Sequence, residues 1–353
     1  MDAAIDRIET ALVRYAVAGL GRLGDTVPAE LEALRQVAHH AGLIRAEREI
    51  EALSTVVDRW TRRDPLFRPD AWLSGLSRVF SLLVAARRVE GASEEIVRAV
   101  LGEVRRTYHP VKGALVVTAL GAHGWVTDSG FVGVTVALSA ETLVILVSNT
   151  RPTLAMTSPQ GLWNLPLSEG TGLSPADLAT GAWRLENARV SDDGRLSMAA
   201  GLVVTRLPPP GLSAWEPYRV AVWTDLVDRL TGPPDPLASS AAVFVLLEPT
   251  DVSEPVSDEV RNQVVVRLCD SVGAEVRVVV TVRPETAILR ENLAWVAANP
   301  HRRPIGWFGR CDVDAHGIRL DVWTLLFDGA VRTRRGLANV VHVTMETLSA
   351  GRL

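Results

Sequence analysis

The fold turns on two neighbouring runs, Phe131-Val-Gly-Val-Thr-Val-Ala-Leu138 and Thr142-Leu-Val-Ile-Leu-Val147. β-branched residues crowd both, and each run is too short for an ordinary helix, so both read as strands. The same signature precedes them at Val116-Val-Thr118, with Gly121, Gly124 and Gly130 as punctuation. Upstream of Pro110 the period is different. Ile5, Ile8, Leu12 and Tyr15, then Leu31, Leu34 and Val37, recur three and four apart. The spacing continues at Ile50, Leu53, Val57 and Trp60, at Trp72, Leu76, Val79 and Leu83, and at Ile96, Val100 and Val104. That pattern predicts amphipathic helices. Their punctuation agrees: Pro28 suits a first turn, Gly42 a C-terminal cap, and Ser93 before Glu94 and Glu95 an N-cap.

Downstream of the deciding stretch, Asp192-Asp193-Gly194 joins the runs 184–190 and 195–204 as an expected hairpin. A helical segment over Tyr218–Leu230 follows Pro208-Pro209-Pro210. The last third alternates: strands at Ala242–Leu247, Gln263–Leu268 and Glu275–Val282, a helix at Pro284–Ala298, and strands at Ile305–Val313, Ile318–Leu326 and Val340–Met345. The expected class is therefore α+β. An all-helical domain at 1–110 precedes a β-rich domain at 111–236 and a mixed α/β domain at 237–353 that contains an antiparallel strand pair.

A chain of 353 residues, 47% apolar and 22% charged with a net charge of −4, has length for two or three domains and excludes disorder and collagen-like structure. Near-neutral charge argues against a surface built everywhere for phosphate. Asp2, Asp6 and Glu9 replace the basic start of a secretory signal, and the longest apolar stretches are broken well short of a membrane span, so the expectation is a cytoplasmic protein with no membrane partner. Cys269 and Cys311 stand alone and read as small apolar residues rather than ligands or a redox pair.

The usual chemical motifs do not occur. There is no GxxxxGK[ST], GxSxG or HExxH, and Gly19-Leu-Gly-Arg-Leu-Gly24 follows a helix rather than a strand, so its glycines are expected to end that helix. His39 and His40 are adjacent on a helix and diverge by about 100°. Asp312 and Asp314 alternate at a strand end, as a weak cation site or as turn acids. No catalytic residue, cofactor or metal is assigned.

Charge is distributed unevenly. Residues 300–353 hold eight basic and five acidic groups, against 13 and 20 in 111–299. This tail carries Arg302 and Arg303, then Arg332, Arg334 and Arg335, with Trp307 and Trp323 on the strands between. Guanidinium groups beside rings on a sheet suit a single-strand binder, where Arg meets phosphate and the ring stacks on a base; a strand edge kept soluble by charge is the other reading. Ten tryptophans, eight of them after residue 110, suit either partner anchors or a space-filling core. Trp163 and Trp215, beside Pro and Gly, are the expected interface pair.

Leu120-Gly-Ala-His-Gly-Trp125, Ser129-Gly-Phe-Val-Gly-Val-Thr135, Ser148-Asn-Thr-Arg-Pro152, Gly161-Leu-Trp163 and Ala188-Arg-Val-Ser-Asp-Asp-Gly-Arg-Leu-Ser197 form an ordered set. Pro304-Ile-Gly-Trp-Phe-Gly309 through Leu320-Asp-Val-Trp323 extends it. The set resembles a family of bacterial proteins encoded beside SWIM zinc-finger proteins, in cassettes that also encode a MoxR-type AAA+ ATPase and a von Willebrand factor A protein. The resemblance implies a non-catalytic accessory or adaptor subunit acting in bacterial biological conflict, with those three proteins as partners and Trp125, Arg151 and Trp307 as contact residues. The SWIM signature itself is absent from this chain, so zinc belongs to the neighbour.

Overall fold

The computed structural model describes residues 1–24, 26–64, 67–102, 107–127, 130–141, 143–154, 158–168, 171–191, 193–208, 211–231, 243–314 and 316–349. Val104, Ser129, Thr142, Asp192, Pro209, Pro210, Ala242 and the boundary expected near residue 236 lie outside them. The described residues divide into a helical unit over 1–102 and a β-rich unit over 107–231 and 243–349. No helix among them is long and apolar enough to cross a membrane.

The helical unit contains α1 (Asp2–Ala18), α2 (Val27–His40), α3 (Ile44–Thr61), α4 (Pro69–Ala86) and α5 (Glu94–Leu101). The periodic residues of the sequence face inward: Ile5, Ile8, Leu12 and Tyr15 pack with Leu31, Leu34, Ile50, Leu53, Val57, Trp72, Leu76, Val79 and Leu83. Trp60 and Ile96 fall off that face and are exposed. Gly19 ends α1 at φ 67°, its N–H reaching the Tyr15 carbonyl at 3.0 Å, so the glycine series closes a helix. The Ser93 hydroxyl accepts the Ile96 N–H at 3.4 Å and caps α5.

In the β-rich unit, β1 (Tyr108–Pro110) precedes β2 (Leu115–Val126), β3 (Phe131–Ala140) and β4 (Leu143–Pro152). After α6 (Pro159–Trp163) and α7 (Pro175–Leu178) come β5 (Ala182–Glu186), β6 (Arg189–Ser191) and β7 (Val203–Leu207). One antiparallel sheet has the order β4-β3-β2-β5-β7, and β1 pairs separately with β6. The Gly194 N–H bonds the Ser191 carbonyl at 2.9 Å and closes the acidic-glycine turn. β3 lacks clean polar alternation because it is covered on both sides. Val132, Val134, Val136 and Leu138 pack with α6 and α7, while Ala137 joins a second core on the opposite face. Gly133 is required for a specific reason: a Cβ there would lie 2.2 Å from the Trp125 ring.

A 3-10 segment (Leu212–Tyr218), with Pro217 inside it, and α8 (Thr224–Thr231) replace the single helix expected over 218–230. The second sheet follows with β8 (Val243–Leu247), β9 (Asp251–Val252), β10 (Val256–Asp258), β11 (Gln263–Cys269) and β12 (Glu275–Thr281). After α9 (Ala287–Ala298) it is completed by β13 (Gly306–Asp314), β14 (Gly317–Thr333) and β15 (Gly336–His342). The order is β10-β11-β12-β14-β13-β8, with β15 beside the distal half of β14 and β9 beside β11. α9 leads from β12 to β13, and β14 returns between these two strands to pair in parallel with β12; Leu289, Leu293 and Val296 of α9 cover one sheet face. Val340–Met345 is strand only to His342 and then turns.

The middle and final segments form one unit instead of the two expected domains. Leu120 and Ala137 of the first sheet share a core with Leu246, Phe308, Trp323 and Leu326 of the second, and Trp215 and Tyr218 fill the space between. The Trp215 indole donates to the Leu120 carbonyl at 2.9 Å, and the Tyr218 hydroxyl to Ser139 Oγ at 2.7 Å. Neither segment could bury its face alone.

Candidate nucleic-acid interface

β14 outruns its partner β13. The ladder with β13 ends at Gly306 opposite Leu326, and a register shift then carries β14 on to Thr333 paired with β15 alone. The tip of this hairpin presents Arg332, Arg334 and Arg335 to solvent. None of the three makes an ion pair among the described residues. The backbone beneath them is fixed by a third segment: the Arg334 N–H bonds the Thr347 carbonyl at 3.0 Å, the Ser349 N–H bonds the Arg332 carbonyl at 2.9 Å, and Thr333 bridges Leu348. Thr333 Oγ1 closes the turn by donating to the Gly336 carbonyl at 3.0 Å and accepting the Arg335 N–H at 3.1 Å.

The Arg335 guanidinium lies over the Trp163 ring, 5.6 Å from its centroid. Such a contact is worth about 0.5–1 kcal/mol at an exposed site and orients the charged group. Trp163 in turn meets the His342 ring edge-on at 5.8 Å. His342 is 2% exposed and spans two elements, with Nε2 donating to the Ala179 carbonyl at 3.2 Å and Nδ1 3.2 Å from Thr324 Oγ1. Burial pushes its pKa below the ordinary histidine value, against the opposing influence of Glu346 and the Ala179 carbonyl. Glu346, half-buried, accepts the His342 N–H at 3.0 Å and is committed to the backbone, while Asp328, exposed on β14 four residues before Arg332, makes no ion pair with the tip arginines among the described residues.

The other expected arginines differ. Arg303 is held by Asp251 at 3.3 Å, while Arg302 is half-buried and follows the Asn299 carbonyl in a short 3-10 turn. Both sit at the end of β13 where the ladder with β14 stops. Arg277 pairs with Asp314, and Arg319 with Asp312 at 2.5 Å, so the alternating acids expected as a weak cation site are engaged by guanidinium groups. His39 of α2 pairs with Glu47 of α3 at 2.9 Å, and His40 donates to the Gln36 carbonyl of its own helix at 2.7 Å. Cys311 is buried and its thiol pushed up to about 12; Cys269 is half-buried and also raised by burial.

The expected interface tryptophans are corrected by their burial. Trp163, Trp215 and Trp307 are 1%, 3% and 0% exposed, so these rings fill the core and offer no anchor at the surface. Trp323, expected to flank the arginines as a stacking platform, is also buried and stacks on His123 at 5.3 Å. Trp125 is half-buried over Gly133, its indole donating to Thr135 Oγ1 at 2.9 Å. Arg151 is exposed at the end of β4 and bonds its neighbouring Thr150 carbonyl. Sequence reasoning missed Arg206 of β7, exposed and 5.6 Å from the Trp183 ring centroid. Only the cross-strand register, Trp183 opposite Arg206, reveals that pair.

No protein-family model matches this chain, and no curated protein matches it. Among solved structures, one described as the molecular basis for abrogation of activation of pro-inflammatory cytokines is similar over 62% of this chain and 92% of its own, at TM-score 0.31 and 7% identity. The Ifi202 HINa domain in complex with 20bp dsDNA aligns over 49% and 77%, at TM-score 0.27 and 9% identity. p202 HIN1 in complex with 12-mer dsDNA aligns over 62% and 92%, at TM-score 0.30 and 8% identity. Likeness at this level assigns no function to the chain.

Proposed function

We propose that this protein binds nucleic acid through the β14–β15 hairpin. The observation that carries the reading is a rigid turn presenting Arg332, Arg334 and Arg335 to solvent with no carboxylate paired to any of them among the described residues. Exposed guanidinium groups with no carboxylate paired to them are available to displace counterions from phosphate, and a fixed backbone lowers the ordering cost of doing so. Fluorescence anisotropy with labelled single-stranded DNA, duplex DNA and RNA at low salt tests it. Affinity should fall linearly in log units with log salt, and replacing all three arginines by Ala should flatten that slope by about 2–3. Absence of binding to all three probes at low salt would sink the reading.

The adaptor reading keeps one specific support. Between α4 and α5, Phe80, Val84, Ile96 and Val100 line an apolar cavity of about 500 Å³ with Arg88 at its rim, and Val84 and Ile96 are 44% and 50% exposed. Exposed apolar surface of this kind suits a protein partner. In this reading the helical unit docks a component of a MoxR ATPase, von Willebrand factor A and SWIM cassette. Co-purification of such a component should be lost in Val84→Glu/Ile96→Glu; equal recovery with that variant overturns the assignment to this groove.

A further inference from the structure

The arginine surface has a second member, and its rings face inward. Arg335 lies over Trp163 and Arg206 over Trp183, each guanidinium 5.6 Å from the ring centroid. The two pairs share one support. Trp163 packs against His342, which bonds the Ala179 carbonyl, and the preceding carbonyl, that of Leu178, accepts the Trp183 indole N–H at 3.0 Å. Resting on the nucleic-acid reading above, we infer that Arg206 joins Arg332, Arg334 and Arg335 in one surface that contacts the sugar–phosphate backbone and leaves the bases unread.

The argument is one of ring accessibility. Proteins that read single strands through aromatic groups lay successive bases on exposed ring faces, and each stacked base is worth roughly 5- to 150-fold in affinity. Here Trp163 and Trp183 are 1% and 3% exposed, and a guanidinium lies over each. Trp307 and Trp323, on the strands that lead to the hairpin, are buried as well. The large exposed rings among the described residues, Trp60 and Phe131, belong to α3 and to the start of β3. What remains at the surface is charge. A guanidinium resting on a ring is pre-oriented, so its planar fork meets phosphate with less ordering. Arg206 makes no ion pair among the described residues; Asp177, which it influences through space, is itself bound to the Ser174 hydroxyl and backbone N–H in the cap of α7.

The test compares two single strands of equal length and charge, one of ordinary deoxynucleotides and one with abasic sugars, by anisotropy competition over a salt series. The full-length protein should bind both within about twofold. Arg206→Ala should flatten the salt slope by about 0.7, the increment for one single-strand phosphate contact, while Arg206→Lys should retain it. Tenfold or tighter binding of the base-bearing strand overturns the inference and leaves the nucleic-acid reading standing. An unchanged slope in Arg206→Ala removes Arg206 from the surface and overturns the inference in that part. Failure of both strands and of duplex to bind at low salt overturns the reading and the inference together.

Discussion

At the scale of single residues, His342 couples the core to the hairpin. Its neutral ring donates from Nε2 to the Ala179 carbonyl, and charging it would bury a cation that Glu346 and the Ala179 carbonyl favour but that burial and Arg335 disfavour. Because the folded pKa lies below the unfolded one, near 6.5, the unfolded chain holds more protons in the interval between them. The stabilising contribution is therefore complete above pH 6.5 and is lost as pH falls below it. The slope cannot exceed about 1.4 kcal/mol per pH unit for one proton. Urea denaturation at pH 7.5, 6.5 and 5.5 should show this loss in wild type and a smaller one in His342→Gln, whose amide can still donate to Ala179. Parallel pH profiles for the two proteins would show that another group carries the dependence.

At the scale of elements, legibility in the sequence follows the range of the contacts. The helices of the first unit were readable because the residues that repeat three and four apart, such as Ile50, Leu53 and Val57, are the ones one shared core buries. β3 and β4 were readable from β-branched density. The 3-10 turn over Leu212–Tyr218 was not, since its shape is set by Pro217 and by tertiary partners, Leu120 for Trp215 and Ser139 for Tyr218, about 95 and 79 residues away. The same cause explains the misplaced tryptophans: Pro and Gly beside Trp163 suggested a loop, whereas α6 folds that ring under Arg335 from a distant hairpin. The arginines of the tip were legible as a basic cluster, but their lack of ionic partners was not. Asn292 gave no sequence signal at all. On α9 it is fully buried, donating to the Val343 and Glu346 carbonyls at 2.8 and 2.7 Å and accepting the Leu348 N–H at 2.8 Å. It thereby fixes the segment that runs beside Arg332 and Arg334.

At the scale of the whole molecule, the cores divide unevenly. One core is built wholly from residues of α1 to α5 and the loops that join them, whereas the sheet-to-sheet core, Leu120 and Ala137 with Leu246, Phe308 and Trp323, ties everything from β2 to β15 into one body. Chains whose cores are disjoint depart from a single all-or-none transition, while elements that share a core unfold together. Two transitions are therefore expected in urea, and the tryptophans separate them: eight of ten lie after residue 110, so fluorescence follows the β-rich unit while far-UV dichroism also follows the helices. Asn292→Ala strands buried backbone groups, each worth about 1–3 kcal/mol, and should move the main fluorescence midpoint together with the part of the dichroism that tracks it, leaving the other dichroism component in place. Ile50→Ala opens a cavity in the helical core at about 2–5 kcal/mol and should move the helical dichroism component, with only the minor fluorescence contribution of Trp60 and Trp72, and leave the main fluorescence midpoint in place. If either substitution shifts both midpoints equally, the two units unfold as one, and the separation of cores does not extend to stability.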